Sequence, residues 1–480
     1  MSFETIIGLE IHAELKTKTK IFCSCSTKFG AKPNENTCPI CLGLPGTLPV
    51  LNEEVVNLAI KAGKALNCKI NKLNKMDRKN YFYPDLPKAY QISQFDLPMC
   101  SGGFVEIEAD GVKRKVRLNR IHIEEDAGKL VHLENEPYSL IDYNRVGVPL
   151  AEIVTEPDMR SPLEAVTFMK KLRSILQYGD ISDCRMEEGS LRCDANISMR
   201  EVGQEKYNTK VEIKNVSSFR ELYKALEREE KRQRELYTFG EEYKIKQETR
   251  RWDNGKGRTV PMRSKEDAND YRYFPDPDLV PIIIDDERIE KMKNSFSEMP
   301  EEKKARFIKE YDMSKDDADI LIDDKALSLY FEDLIKKGAK PKTALNFILS
   351  DVLRVLKEKN IHSEDFPISP ERLYELLKLI DGGKISISIG KEVFNTMLDC
   401  TKSAQDIVKE KGLVQISNPN EIEKIVEEVI KNNPKSVEDY AAGKKQAAGF
   451  LMGQVMKITK GKANPKTAKD LIIKKLKADS

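Results

Sequence analysis

The chain lacks several features that would assign it to a common class. It has no run of 18 apolar residues, and its first residues, Met-Ser-Phe-Glu-Thr, do not form a basic-then-apolar leader. We therefore expect no membrane span, no export signal and a cytoplasmic location. Net charge is nearly absent, because 81 basic residues accompany 79 acidic ones. Charge summed over the whole chain therefore identifies no partner, although its distribution can.

Two common catalytic motifs are also missing. No stretch reads Gly-x-x-x-x-Gly-Lys-Ser/Thr, the loop that holds nucleotide phosphates in many ATPases. The nucleophile turn Gly-x-Ser-x-Gly is absent too, and no serine or cysteine stands in another recognisable nucleophile motif. Any catalysis by this chain must therefore use other groups.

The cysteines are arranged as two close pairs and five scattered residues. With no export signal, nine cysteines indicate reduced thiols or a metal site. Cys23-Ser-Cys25 and Cys38-Pro-Ile-Cys41 are separated by twelve residues, which is in the range of a small zinc knuckle. The first pair is tighter than the usual C-x-x-C spacing, and four ordinary buried thiols are the alternative. We expect the other five cysteines in the core.

The stretch 191–200 shows the clearest strand pattern in the chain. Its apolar residues alternate with polar ones, as in a strand with one face on a core. The polar positions are Arg192, Asp194, Asn196, Ser198 and Arg200. Arginine, aspartate and asparagine suit metal and phosphate oxygens better than they suit an ordinary solvent face.

Four other stretches repeat this alternation with carboxylates near the middle of the strand. Their polar positions are Glu10, His12 and Glu14; Arg120, His122 and Glu124, followed by Glu125 and Asp126; Lys210, Glu212 and Lys214; and Glu152 alone. We predict that these strands are neighbours in one antiparallel sheet with helices behind it and a charged, concave active surface in front. The alternative is a set of edge strands with salt-bridged surface charges.

The predicted architecture is α+β, with three parts. A strand-rich catalytic domain spans 1–290, a helical domain spans 291–403, and a basic helical tail spans 404–480. From 441 to 480 the sequence has ten lysines and two aspartates. This concentration of positive charge, interleaved with glycines, predicts binding to RNA or DNA. A solubilising lysine tail is the alternative.

Several long motifs resemble the B subunit of the tRNA-dependent amidotransferase, the GatB family. They are 8–12, 83–94, 142–157, 248–253, 262–268, 270–279 and 450–457. The most specific is Asp-Tyr-Asn-Arg-Val-Gly-Val-Pro-Leu-Ala-Glu, residues 142–152. The resemblance covers essentially the whole chain.

This resemblance implies a two-step reaction on misacylated tRNA. ATP phosphorylates the side-chain carboxylate of Glu-tRNA(Gln) or Asp-tRNA(Asn), and ammonia then displaces the phosphate to give the amide. In the family, a separate amidase (A) subunit releases the ammonia from glutamine, and a small (C) subunit bridges the other two. The resemblance also implies a catalytic domain similar to the glutamine synthetase fold.

Roles for individual residues follow from the resemblance as hypotheses. The Mg²⁺ set is Glu10, His12, Glu125, Glu152, Asp194 and Glu212, of which Glu10, Asp194 and Glu212 also serve ATP. Arg192 and Arg200 are candidates for stabilising the transferred phosphate. Lys79 and Lys88, in a proline-rich loop, are candidates for lining the path of ammonia. Cys23, Cys25, Cys38 and Cys41 would hold structural Zn²⁺.

Two other functions are compatible with the residues alone. One is an ATP-dependent ligase that acts on a small acid, and the other is a non-catalytic RNA-binding scaffold. Dependence of ATP hydrolysis on charged tRNA separates the first from an amidotransferase, and Mg²⁺-dependent nucleotide binding argues against the second.

Overall fold

The protein forms two compact units in a computed structural model. The structure describes residues 2–133, 136–264, 270–413, 419–441, 444, 446–459, 463 and 465–478. The units are Met1–Ala305 and Arg306–Ser480. Within the described ranges, no helix is both long and apolar enough to cross a membrane. The finer division at 290 and 403 stays a prediction.

The first unit combines strands and helices, as the α+β prediction requires. Its strands are β1 (Phe3–Glu14), β2 (Lys69–Ile70), β3 (Leu73–Asn74), β4 (Asp77–Asn80), β5 (Tyr90–Ser93), β6 (Cys100–Ser101), β7 (Phe104–Ala109), β8 (Val112–Glu125), β9 (Lys129–His132), β10 (Ser139–Asp142), β11 (Pro149–Thr155), β12 (Leu191–Glu201), β13 (Val211–Lys214), β14 (Glu248–Asp253), β15 (Arg258–Ser264), β16 (Phe274–Pro275) and β17 (Ile282–Ile283). Its helices are α1 (Glu53–Ala65), α2 (Pro162–Tyr178), α3 (Phe219–Thr238) and α4 (Asp286–Asn294), and α5 (Pro300–Tyr311) crosses the boundary between the units.

A ten-stranded sheet organises this unit. Its order is β15-β14-β13-β12-β1-β11-β8-β6-β2, with β7 paired to β8. The five strands predicted to be neighbours, β1, β8, β11, β12 and β13, are all in it. These five strands pair antiparallel with one another, as predicted. The sheet as a whole is mixed, because β13 and β14 are parallel. The helix α3 joins these two strands, and a helical crossover of this kind permits parallel pairing where a short hairpin does not.

The alternating pattern correctly separated the two faces of the sheet. On β12, Leu191, Cys193 and Ala195 are buried, whereas Arg192 and Asp194 are only partly buried. The apolar face belongs to one continuous core with residues of the first three helices. The sequence predicts helix starts at the capping residues Asn52, Ser161 and Ser218. Each of them accepts a hydrogen bond from a backbone N–H in the first turn of α1, α2 or α3, respectively.

Two local predictions need correction. The dense charge of the sequence in α3 predicts a solvated helix face, but Glu229 and Gln233 on this helix are completely buried. The proline-rich stretch 79–94 was predicted to have no regular element. Its two ends instead belong to β4 and β5, which form a three-stranded sheet with β16. Pairing with a distant strand is a tertiary contact that local composition does not indicate.

The second unit is helical in its described parts. Its further helices are α6 (Lys315–Ile322), α7 (Lys325–Lys336), α8 (Pro341–Phe347), α9 (Leu353–Lys359), α10 (Pro370–Asp381), α11 (Ile387–Met397), α12 (Ala404–Glu410), α13 (Pro419–Asn432), α14 (Pro434–Ala441), α15 (Gln446–Ile458) and α16 (Pro465–Ala478). A π-helical turn, Ile348–Val352, joins α8 to α9. The sequence predicts that the stretch 385–389 begins a helix, which is confirmed because Ser386 caps α11.

The basic tail contains a small core of its own. Ile422 and Val426 of α13, Val455 of α15 and Ile472 of α16 are buried together. The Asn-Pro pairs at 418–419 and 464–465 predict the starts of two helices, and both asparagines lie outside the described residues. The lysines of this segment are therefore carried by packed helices over much of its length.

Candidate functional site

Five carboxylates from five adjacent strands face the side of the sheet opposite the core. They are Glu212 on β13, Asp194 on β12, Glu10 on β1, Glu152 on β11 and Glu124 on β8. Cross-strand partners in an antiparallel pair share a face. The register therefore defines two rows of side chains across the sheet.

The first row runs from Arg192 through His12 and Glu152 to His122. The second row runs from Asp194 through Glu10 and Val154 to Arg120. The two rows lie two residues apart along each strand, so their side chains form one continuous polar surface. We call this surface the acidic face.

Two histidines and two glutamates make the tightest contacts on the acidic face. Nε2 of His122 lies 3.1 Å from Glu152 and 3.4 Å from Glu124. Nε2 of His12 lies 3.4 Å from Glu152 and 3.5 Å from Glu124. Ligand atoms of Glu10, His12 and Glu152 also lie within 4.8 Å of one another. This spacing is compact enough for one ion to reach several of these side chains.

The charges of this cluster shift the pKa of its members strongly. Burial by itself would lower the pKa of His122, but Glu152 and Glu124 outweigh it and raise this pKa to about 9. Burial opposes ionisation of Glu152, yet the two histidines hold its pKa well below the usual range. Glu10 differs, because burial and then repulsion from Glu152 raise its pKa. Glu10 is thus a carboxyl group whose negative charge is poorly compensated.

Asp194 and Glu212 form the other half of the acidic face around a lysine. The ammonium group of Lys214 contacts Asp194 and lies 3.4 Å from Glu212. Glu212 also accepts a hydrogen bond of 2.8 Å from the Thr249 hydroxyl. Asp194, which lies opposite Glu10, and Glu212 therefore share Lys214 as their counter-charge. This is a favourable arrangement for binding a cation or a nucleotide that carries one.

The predicted phosphate-binding arginines already have acidic partners. Arg192 donates to Asp126 over 2.6 Å. Arg200 donates to Glu4 over 2.7 Å, near the start of β1 and away from the histidine cluster. Both side chains lie on the predicted face, but their guanidinium groups are engaged by the protein.

Glu125 lies apart from the other predicted metal ligands. It is buried, accepts two hydrogen bonds of 2.6 Å from Lys88, and accepts a third from the Ile92 N–H. Its neighbour Glu124 occupies the position on the acidic face instead. Lys79 is not part of the Lys88–Glu125 pair, and its ammonium lies 4.9 Å from the Tyr271 ring centroid.

The sequence contained the signal that distinguishes Glu124 from Glu125. Alternation along β8 places residues 120, 122 and 124 on one face, and Glu125 falls on the other. The predicted metal set therefore missed Glu124 and His122, although both were recognised as polar positions of that strand. The pairing of Asp126 with Arg192 was also missed, and no local pattern indicates it.

Several buried polar atoms of the acidic face have no hydrogen-bond partner in the described structure. They include Nδ1 of His122, Oδ1 of Asn196 and Nε of Arg120. Buried polar atoms are normally satisfied, because leaving one unpaired costs about 1–3 kcal/mol. Their concentration beside the carboxylates indicates a surface arranged for a ligand.

The four paired cysteines converge as the spacing predicted. Ligand atoms of Cys23, Cys25, Cys38 and Cys41 lie within 4.8 Å of one another. The Cys23 thiol lowers the pKa of Cys41 to about 4 against the effect of burial, and the Cys38 N–H and the Lys20 ammonium assist it. The backbone N–H of Cys38 is 3.2 Å from the Cys41 sulfur, and Nζ of buried Lys20 is 3.7 Å from it. A possible metal-binding cysteine cluster is therefore present.

Comparison with known proteins identifies the family. The catalytic domain described as GatB/GatE matches residues 5–290, and the domain described as the GatB domain matches residues 329–476. The chain belongs to the GatB family. The B subunit of the aspartyl/glutamyl-tRNA(Asn/Gln) amidotransferase from Clostridium beijerinckii is 68% identical over 476 residues, with 99% of each chain covered.

Two other members of the GatB family have the same name and similar coverage. The protein from Thermoanaerobacter pseudethanolicus is 56% identical, covering 99% of this chain and 100% of its own. That from Caldicellulosiruptor bescii is 52% identical and covers 99% of both chains. Their names support the resemblance found in the sequence motifs.

The GatB motif at 142–157 connects the cysteine cluster to the acidic face. Asp142 and Asn144 accept hydrogen bonds of 3.0 and 2.7 Å from the backbone of Asn34 and Asn36, between the two cysteine pairs. The same motif includes β11, where Glu152 contacts both histidines. Its long specific sequence therefore positions two separate side-chain clusters.

Proposed function

We propose that this chain is the component of a tRNA-dependent amidotransferase that activates and amidates the aminoacyl side chain. The reaction would convert Glu-tRNA(Gln), Asp-tRNA(Asn) or both, in the cytoplasm, with the amidase (A) and small (C) subunits as partners. The observation that carries the proposal is the convergence of five carboxylates from five neighbouring strands in a member of the GatB family. Similarity of this sheet to the glutamine synthetase fold is part of the proposal.

The acidic face fits a divalent cation. Glu10, Glu124 and Glu152 would supply oxygen ligands, and His12 would offer a nitrogen beside them. The raised pKa of Glu10 reflects a negative charge that a nearby cation would relieve. When bound, Mg²⁺ supplies charge neutralisation for the phosphates of ATP. Asp194 and Glu212 would complete the nucleotide-binding half of the face.

The need for phosphorylation follows from carboxylate chemistry. Direct attack of ammonia on a carboxylate would have to expel oxide, which is a very poor leaving group, whereas an acyl phosphate expels phosphate. The chain's role is to place the side-chain carboxylate in line with the γ-phosphate of ATP and to keep both oriented. Rigid strands suit this role, because side chains on a sheet are held more precisely than those on loops.

The other predicted roles remain proposals. The four cysteines fit structural Zn²⁺, which would link the two cysteine-bearing turns. Lys79 and Lys88 would line the route of ammonia, with Lys88 held by Glu125. The lysine-rich segment 441–480 would contact the tRNA phosphates.

Substitution of Glu10 tests the proposal in the assembled enzyme. Glu10→Gln keeps the size of the side chain and removes its charge. The tRNA-dependent ATP hydrolysis should then fall by at least about 100-fold, because the cation that neutralises the phosphates would lose a ligand. Asp194→Asn should have a similar effect. Glu106→Gln is the matched control, because Glu106 is exposed on β7. Near-normal ATP hydrolysis by the Glu10→Gln variant would refute the metal assignment. If the wild-type enzyme forms no amide on either misacylated tRNA, the proposed function is refuted.

A further inference from the structure

Arg120 is the arginine of the acidic face that has no acidic partner in the described structure. It lies on β8 opposite Val154, in the same row as Glu10 and Asp194. Its Nε is buried without a hydrogen bond. Nε of Arg192 also lacks a hydrogen bond, but Arg192 and Arg200 differ from Arg120 because they are bound by the carboxylates of Asp126 and Glu4. A partly buried guanidinium without a partner, beside an active surface, indicates an anion supplied by a ligand.

The row that contains Arg120 changes from negative to positive across the sheet. Beyond Arg120 the register continues to Ser101 on β6 and Lys69 on β2. Neighbouring strands are about 4.8 Å apart, so the Cα of Arg120 lies about 10 Å from that of Glu10. A ligand that spans this distance would meet carboxylates at one end and cations at the other.

An aromatic surface lies beside the positive end of this row. The Phe95 ring stacks on Tyr273 with their centroids 4.5 Å apart and an interplanar angle of 12°. The Phe95 side chain is 57% exposed, so its ring is accessible to a ligand. Burial and then the charges of Glu124 and Glu152 raise the pKa of Tyr273, while Arg120 opposes this shift, which places Tyr273 within the field of both groups.

Arg120, Phe95, Lys69 and Ser101 line one open cleft of about 770 Å³. Arginine and lysine bind phosphate, and an exposed aromatic ring stacks on an unpaired base. The cleft thus combines the two chemistries that recognise a single-stranded nucleotide. Its position, next to the carboxylates but away from Asp194 and Glu212, differs from the half of the face assigned above to ATP.

We infer that this cleft binds the 3′-terminal nucleotide of the aminoacylated tRNA, with Arg120 on its phosphate and Phe95 on its base. This inference rests on the proposed function and assigns its RNA substrate to specific residues. With the terminal nucleotide held at Arg120, the attached amino acid extends toward Glu10 and Glu152. The separation between the two ends of the row then positions the side-chain carboxylate for phosphorylation.

The first test uses wild-type enzyme with a short stable probe. The probe is 3′-glutamylamido-3′-deoxyadenosine, prepared with and without a 5′-phosphate and assayed as an inhibitor competing with charged tRNA. A charge-assisted contact with Arg120 should make the phosphorylated form at least about tenfold tighter. Equal inhibition by the two forms would overturn the inference without any variant having to fold.

The second test compares variants in the complete amidotransferase. Arg120→Gln should raise KM for charged tRNA by about tenfold or more and abolish the preference for the phosphorylated probe. Phe95→Leu should raise the same KM by about fivefold or more through loss of stacking. KM for ATP should not change in either variant. Arg117→Gln is the matched control, because Arg117 is an exposed arginine on the same strand, paired with Asp158 outside the cleft.

Two results would overturn the inference while leaving the proposed function intact. A rise in KM for ATP, with KM for tRNA unchanged, would assign the cleft to the nucleotide cofactor. Unchanged KM values for both substrates in Arg120→Gln would give the arginine a structural role only. Failure of the proposed function would appear differently, as an absence of amide formation by the wild-type enzyme.

Discussion

The completely buried carboxylate of Glu229 should be a major determinant of stability at the β14–β15 edge of the sheet. Arg232 donates to it over 2.6, 3.0 and 3.1 Å. The Gln233 amide and the Thr259 hydroxyl each donate over 3.0 Å. Glu229→Gln removes the charge and turns one acceptor oxygen into a donor that faces other donors.

The magnitude follows from this geometry. Breaking a buried charged pair typically costs about 3–5 kcal/mol. Arg232 keeps a second carboxylate nearby, because Glu248 lies 3.9 Å from it. We therefore expect a loss at the low end, about 3 kcal/mol in the free energy of unfolding. If the free energy of unfolding decreases by about 3 kcal/mol per molar urea, the urea concentration at the unfolding midpoint should fall by about 1 M.

Tryptophan fluorescence can follow this change locally. Trp252, the only tryptophan in the sequence, is buried on β14 and pairs with Thr259, a direct partner of Glu229. Glu235→Gln is the control on the same helix, because Glu235 is exposed, and it should shift stability by less than about 0.5 kcal/mol. Equal midpoints for the two variants would show that the buried network contributes no net stability and would refute the reasoning.

Three further outcomes are expected. Cys38→Ser should lower the zinc content of protein purified without chelator to less than about half an equivalent, whereas Cys400→Ser should not; a wild-type content below that level would exclude the site. Lys79→Met should reduce amidation with glutamine more than amidation with free ammonia if the lysine lines the ammonia route, and an equal loss with both would contradict this role. Combined substitution of exposed Lys457, Lys469 and Lys474 by Gln should raise KM for tRNA. The slope of log affinity for tRNA against log salt concentration should fall by about one unit for each lost phosphate contact. An unchanged salt dependence would count against RNA binding by these lysines. Substitution is preferable to deletion, because Val455 and Ile472 of the same helices form the local core.

Much of the sheet could be predicted, because the alternation of apolar and polar residues that defines a strand and its two faces lies within short stretches of the sequence. A period of two residues assigns each side chain to a face in β1, β8, β12 and β13, whereas β11 has a single carboxylate in an otherwise apolar strand. Capping residues similarly predicted the starts of α1, α2 and α3. The parallel pairing of β13 with β14 was not predictable in this way, since it depends on how α3 packs on the sheet.

The burial of Glu229 shows a second limit of local patterns. Charged residues at helical spacing usually indicate a solvated face. On α3 the same spacing directs Glu229 toward β14 and β15, where Arg250 and Thr259 supply its partners. The burial of Glu229 therefore depends on strands that are distant in the sequence, and the local pattern of α3 does not indicate it.

The arginines of the acidic face show the same limit within the site itself. Alternation predicts that Arg192, Arg200 and Arg120 all point to the polar side, and it treats the three as equivalent. The structure distinguishes them by their partners, because Asp126 and Glu4 come from other strands or their ends. An arginine held by an acid mainly positions the site, whereas an unpaired one is available to a substrate. The choice of Arg120 over Arg192 and Arg200 as the anion-binding residue therefore depends on tertiary pairing, which periodicity alone does not contain.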